Sequence, residues 1–105
     1  MRVQKVSDKE FKDAIASNEK VIIKYFAGWC GSCRLFAPKY NKMSDEEEFQ
    51  DVNFLDIKPD ENPEARKWAG VSNLPFFAVV KNGEIVKADY TAKEESVRDM
   101  IKSLN

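Results

Sequence analysis

The segment from Lys20 to Ala27 constrains this chain more than any other. Val21, Ile22, Ile23, Tyr25 and Phe26 follow one another almost without a polar interruption, and Gly28 closes the run. A strand with one wet face alternates polar and apolar residues, whereas a near-continuous β-branched and aromatic run belongs to a strand buried on both faces. Such a strand needs neighbours on either side and helices above and below. The flanking pattern supplies them. Val3 to Val6 reads as a short edge strand. Ser7-x-x-Glu10 is a capping box ahead of Phe11, Ala14 and Ile15, whose spacing gives an amphipathic helix to about Ser17. Leu35, Phe36, Tyr40 and Met43 predict a second helix carrying Pro38, which should kink it, and Ser44-x-x-Glu47 offers a new helical start. Val52 to Ile57 is rich in strand formers, and Asn62-Pro63 opens a short helix to about Ala69. Phe76 to Val80 and Glu84 to Tyr90 are joined by Asn82-Gly83, a hairpin turn. Thr91-x-x-Glu94 should cap a last helix with Val97, Met100, Ile101 and Leu104 on its apolar face. The order β-α-β-α-β-α-β-β-α implies an α/β protein with a mixed sheet of about five strands flanked by four helices.

Several classes of function are disfavoured by composition. The 105 residues suit one domain over 1–105, with no linker or repeat, and 43% hydrophobic residues suffice for its core. A net charge of −1, with the basic residues scattered, argues against nucleic acid or an anionic membrane as partner. No apolar run approaches the ~20 residues of a membrane span, and the chain opens without an apolar leader, so a cytoplasmic monomer is expected. With two cysteines and no histidine, a structural zinc site lacks half its ligands. Neither metal nor organic cofactor is expected, and any proton relay must use carboxylates, Lys, Tyr, thiols or water.

Chemistry concentrates at Trp29-Cys30-Gly31-Ser32-Cys33, directly after the central strand and opening the second helix. The carboxyl ends of strands are where open α/β sheets act. A helix N-terminus favours the thiolate of Cys30, and small Gly31 and Ser32 let two sulfurs meet. Thiol–disulfide exchange follows, with Cys30 attacking and Cys33 resolving. A structural bridge closing so short a loop would constrain the unfolded chain little.

The segment Phe26 to Cys33, with Pro38 after it, resembles the thioredoxin family. So do Asn73-Leu74-Pro75-Phe76-Phe77 and Lys81-Asn82-Gly83-Glu84. Order and spacing match along essentially the whole chain. The resemblance implies the thioredoxin fold, a redox-active Cys30–Cys33 disulfide and Trp29 covering the site. It also implies a cis Pro75 facing the cysteines, with Asn73 and Leu74 receiving an extended substrate strand. Disulfide-containing proteins would be the substrates, and a thioredoxin-reductase-like flavoprotein or another dithiol donor would return electrons. An exported oxidase or isomerase, and a docking module without turnover, stand as alternatives.

Four positions depart from the family. Ser32 replaces a proline; its hydroxyl either hydrogen-bonds the thiolate and makes the couple less reducing, or is neutral. Lys24 stands where the family buries an aspartate, and Asp56 where it has the partner lysine. An exchanged pair relaying the proton is one reading, and a Lys24 that reaches solvent is the other. Phe76 follows the proline in place of threonine, and Tyr90 with Thr91 replaces a small glycine patch, so these three are expected to border the substrate groove or to be ordinary drift. Asp45 to Glu48 reads as a solvated face, and Phe11, Phe36, Phe49, Phe54 and Trp68 as packing residues.

Overall fold

The computed structural model describes residues 2–105; Met1 lies outside the described residues. Strand β2 (Lys20–Tyr25) is the buried centre, as its composition requires. Its neighbours are β3 (Asn53–Ile57), which runs parallel to it, and β4 (Phe76–Lys81), which runs antiparallel. The edges are β1 (Val3–Lys5), parallel to β3, and β5 (Glu84–Tyr90), antiparallel to β4. The sheet order is β1-β3-β2-β4-β5. Helices α1 (Asp8–Ala16) and α3 (Pro63–Ala69) cover one face, where Phe11, Ile15, Ala65 and Ala69 meet Val21, Ile23 and Tyr25. Helices α2 (Gly31–Asp45) and α4 (Glu94–Lys102) cover the other. There Phe36, Tyr40, Met43, Val97, Met100 and Ile101 bury Ile22, Phe54, Phe77 and Val79. Successive residues of β2 therefore serve opposite layers, which is why neither face could be polar.

Local signals set most boundaries. The Ser7 N–H donates to the Glu10 carboxylate at 2.9 Å, closing the capping box. Asn82 (φ 51°) and Gly83 (φ 83°) occupy the left-handed region, the backbone a two-residue hairpin between twisted strands demands. All four apolar residues read on α4 are buried.

Two caps are corrected. Ser44 starts no helix: α2 runs through Pro38 and beyond Ser44 to Asp45, and only a single 3-10 turn over Glu47–Phe49 follows. The Ser44 hydroxyl is already engaged, donating to the Asn41 carbonyl at 2.6 Å and accepting the Arg2 N–H at 3.0 Å. Thr91 is not the N-cap of α4, which is Lys93. Its hydroxyl accepts the Lys93 N–H at 3.1 Å, and Glu94 bonds Arg98 at 2.9 Å instead of reaching back. At α3, Asn62 is the N-cap position, but its side-chain oxygen accepts the Asp8 N–H at 2.7 Å. The Asp8 carboxylate in turn takes the N–H groups of Glu64 (3.0 Å) and Ala65 (2.9 Å), so α1 and α3 cap each other.

Candidate active site

The end of β2 delivers Ala27, Cys30 and Cys33 into a small buried cluster against Phe26 and Leu74. Cys30 is the N-cap of α2, and its Sγ accepts the Cys33 N–H at 3.2 Å. A sulfur there sits where the first amides of the helix are unpaired and the helix dipole is positive. The Ser32 hydroxyl lies 3.5 Å from the same sulfur. Cys30 and Cys33 form a disulfide, with Cα atoms 5.2 Å apart. A side chain at Gly31 would meet nothing within 4 Å. Trp29, beside them, is 75% exposed.

Next to the cysteines lies a groove of about 370 Å³. Ala27, Val71 and Leu74 give it an apolar lining, to which Trp29 and Tyr90 add rings, while Asn73, Asp60 and Arg66 bring polar groups. The Leu74–Pro75 peptide bond is cis. Of the residues read as groove residues, Asn73, Leu74 and Tyr90 line it. Phe76 is corrected: its ring does not line the groove but is buried in the layer of α1 and α3, edge-on to Tyr25 at 6.2 Å. Thr91 lies beside the proline, donating its N–H to the Pro75 carbonyl at 3.3 Å, and does not line the groove. Pro59, Asp60, Arg66, Val71 and Ser72 line it without having been read as groove residues. Ser72 is close enough in sequence to Pro75 to have been suspected, but Arg66 reads only as an exposed helical cation.

Beneath Phe26 lies a buried ion pair. Lys24 and Asp56 are direct partners across β2 and β3, with Lys24 Nζ 3.4 Å from Asp56 Oδ1. Their side chains are only 3% and 13% exposed, so Lys24 does not reach solvent. The ammonium lies 4.8 Å from the centre of the Tyr40 ring and 5.2 Å from that of Phe26. The contact is an ion pair, and Asp56 Oδ1 is buried without a geometric hydrogen bond among the described residues. Burial pushes the Asp56 carboxyl up, opposed by Lys24, and pushes the Lys24 ammonium down, opposed by Asp56. Each charge is thus costly to bury and partly offset by the other. Among the described residues no cluster of three or more Cys, Asp or Glu could hold a metal ion.

The family model described as Thioredoxin matches residues 2–103. The chain belongs to the thioredoxin family. Thioredoxin-1 of Schizosaccharomyces pombe is 33% identical over 96% of this chain and 97% of its own. A thioredoxin of Geodia cydonium is 37% identical, covering 90% of this chain and 87% of its own. Among solved structures, thioredoxin f from spinach chloroplast superposes with a TM-score of 0.90 at 29% identity, covering 98% of this chain and 86% of that one. The architecture described above is the thioredoxin fold. The protein is a dithiol–disulfide oxidoreductase, and its redox-active group is the Cys30–Cys33 disulfide. The alternatives, an exported oxidase or isomerase and a docking module without turnover, are not favoured. Among the described residues no helix is long and apolar enough to cross a membrane.

Proposed function

We propose that this thioredoxin-family protein reduces protein disulfides, with Cys30 as nucleophile and Cys33 as resolving thiol. The observation that carries the assignment is Cys30 at the N-cap of α2, its sulfur facing the Cys33 amide and the Ser32 hydroxyl. Both donors stabilise a thiolate there. The thiolate attacks one sulfur of the substrate disulfide, joining Cys30 to it and releasing the other as a thiolate that takes up a proton. Cys33 then gives up its proton and attacks the Cys30 sulfur. The second substrate thiolate leaves, and the Cys30–Cys33 disulfide re-forms. The substrate gains two electrons, and a dithiol donor such as a thioredoxin-reductase-like flavoprotein returns them in a reducing compartment, the cytoplasm. The protein acts as a one-domain monomer.

Trp29, Tyr90, Asn73 and Leu74 form the binding groove in this reading. The N–H groups of Ser72, Asn73 and Leu74 donate no hydrogen bond among the described residues, which suits an extended peptide laid along them. The Lys24–Asp56 pair relays the proton of Cys33. Its support is a base with a raised affinity for protons, held beneath the ring that packs on the cysteines.

Equilibration with glutathione buffers, followed by Trp29 fluorescence, tests the direction of the reaction. A potential near about −270 mV supports a reductase, and one near about −120 mV an oxidase. The relay predicts that Lys24→Ala and Asp56→Ala each slow resolution of a preformed Cys30 mixed disulfide, by roughly 10²-fold if the pair provides general-base catalysis. Unchanged single-turnover rates in both variants would remove the pair from the mechanism.

A further inference from the structure

The four arginines of the chain are used unequally. Arg2 donates to the carbonyls of Phe49 (2.9 Å) and Val52 (3.4 Å). Arg34 donates to the Gly28 carbonyl at 2.9 Å. Arg98 clamps the Glu46 carboxylate with two bonds of 2.7 and 2.6 Å and bonds Glu94 at 2.9 Å. Arg66 alone has no hydrogen bond or ion pair on its guanidinium among the described residues, and it is the one that lines the groove beside the cysteines. Asp60 lines the same groove, yet the two opposite charges form no ion pair there.

A guanidinium carries five donors in a fixed fork that matches a carboxylate. Exposed on the groove wall, it is free to bind. We propose that Arg66 is a specificity determinant that favours substrates carrying an acidic side chain close to the reactive cystine. The inference rests on the groove being the docking site for the substrate chain. The structural role open to Arg66 is a favourable position in the last turn of α3, where any cation suits the helix dipole. That role needs no substrate charge, so the two separate cleanly.

The test uses short peptides whose single cysteine is joined in a mixed disulfide to thionitrobenzoate, with Glu, Gln or Lys at each position flanking the cysteine. Release of the chromophore by the reduced protein gives the rate. Exposed charge pairs account for up to roughly five-fold, so at low salt the protein should prefer a Glu peptide over its Gln counterpart by about two- to five-fold. The preference should shrink as salt rises. Arg66→Gln should erase it, Arg66→Glu should turn it into a preference for Lys, and Arg66→Lys should keep it in part. A reversal on charge swap cannot come from misfolding. Equal rates for all peptides with the unmodified protein, or a Glu preference that survives Arg66→Gln, would overturn the inference and leave the groove intact. Loss of reaction with every peptide would overturn the groove reading along with it.

Discussion

Ser32 shows how a single side chain sets the redox site. Its hydroxyl is 3.5 Å from Cys30 Sγ, close enough to add a second donor to the amide of Cys33. A hydroxyl that stabilises the thiolate stabilises the reduced form, and on that reading the couple is expected to be less reducing. Ser32→Ala should reverse this. One hydrogen bond of about 0.5–1.5 kcal/mol corresponds to a potential lower by ~10–30 mV and a less readily ionised Cys30 thiol. Alkylation rates against pH and glutathione equilibration read the two independently. A variant with an unchanged potential would make Ser32 a neutral spacer. The cysteines and Ser32 were legible from spacing along a few residues, and Pro75 through the resemblance of its loop to the thioredoxin family. Phe76 was not, because the layer a strand residue faces depends on the register of β4 against β2, not on its own identity.

At the scale of elements, the junction of α1 with α3 is the least expected feature. Asp8 supplies both capped amides of α3 from 56 or more residues away, and Asn62 accepts the N–H of Asp8. Each helix start therefore depends on the other being in place. Asp8→Ala strips two N–H groups of their acceptor at once and should cost about 1–2 kcal/mol, read as a lower urea midpoint with an unchanged slope. Asp8→Asn should recover part of the loss, since its amide oxygen can still accept. The same competition explains Ser44 and Thr91. Both carry a good capping signature, and both have their hydroxyls taken by nearer or better-placed backbone groups.

For the molecule as a whole, the Lys24–Asp56 pair ties stability to pH. The Asp56 carboxyl is raised in the folded state, so the stability it contributes is fully present below its unfolded pKa and is lost as pH rises through the folded value. The Lys24 ammonium is lowered, so between its folded pKa and 10.5 the unfolded chain binds more protons and stability rises with pH. Asp56→Ala removes the charge that holds Lys24 up. It should cost roughly 3–5 kcal/mol near neutrality, and its unfolding free energy should climb with pH over a wider alkaline window than that of the parent. Adding Lys24→Met should abolish the climb, as denaturant titrations across pH would show. A single variant whose profile matches the parent's would mean that Asp56 does not hold the Lys24 ammonium up.

The sequence by itself determined the strand buried on both faces, the alternation of strands and helices, the Asn82-Gly83 hairpin and the cysteine pair at a helix start. Each is carried by residues within one or two turns of chain, where period, turn chemistry and spacing act directly. Tertiary structure alone decided which hydroxyls cap, that Asp8 serves a helix other than its own, that Phe76 is buried instead of lining the groove and that Arg66 lines it. Those outcomes come from competition among partners distant in sequence, and only the folded arrangement of the sheet and its two helical layers brings the competitors together.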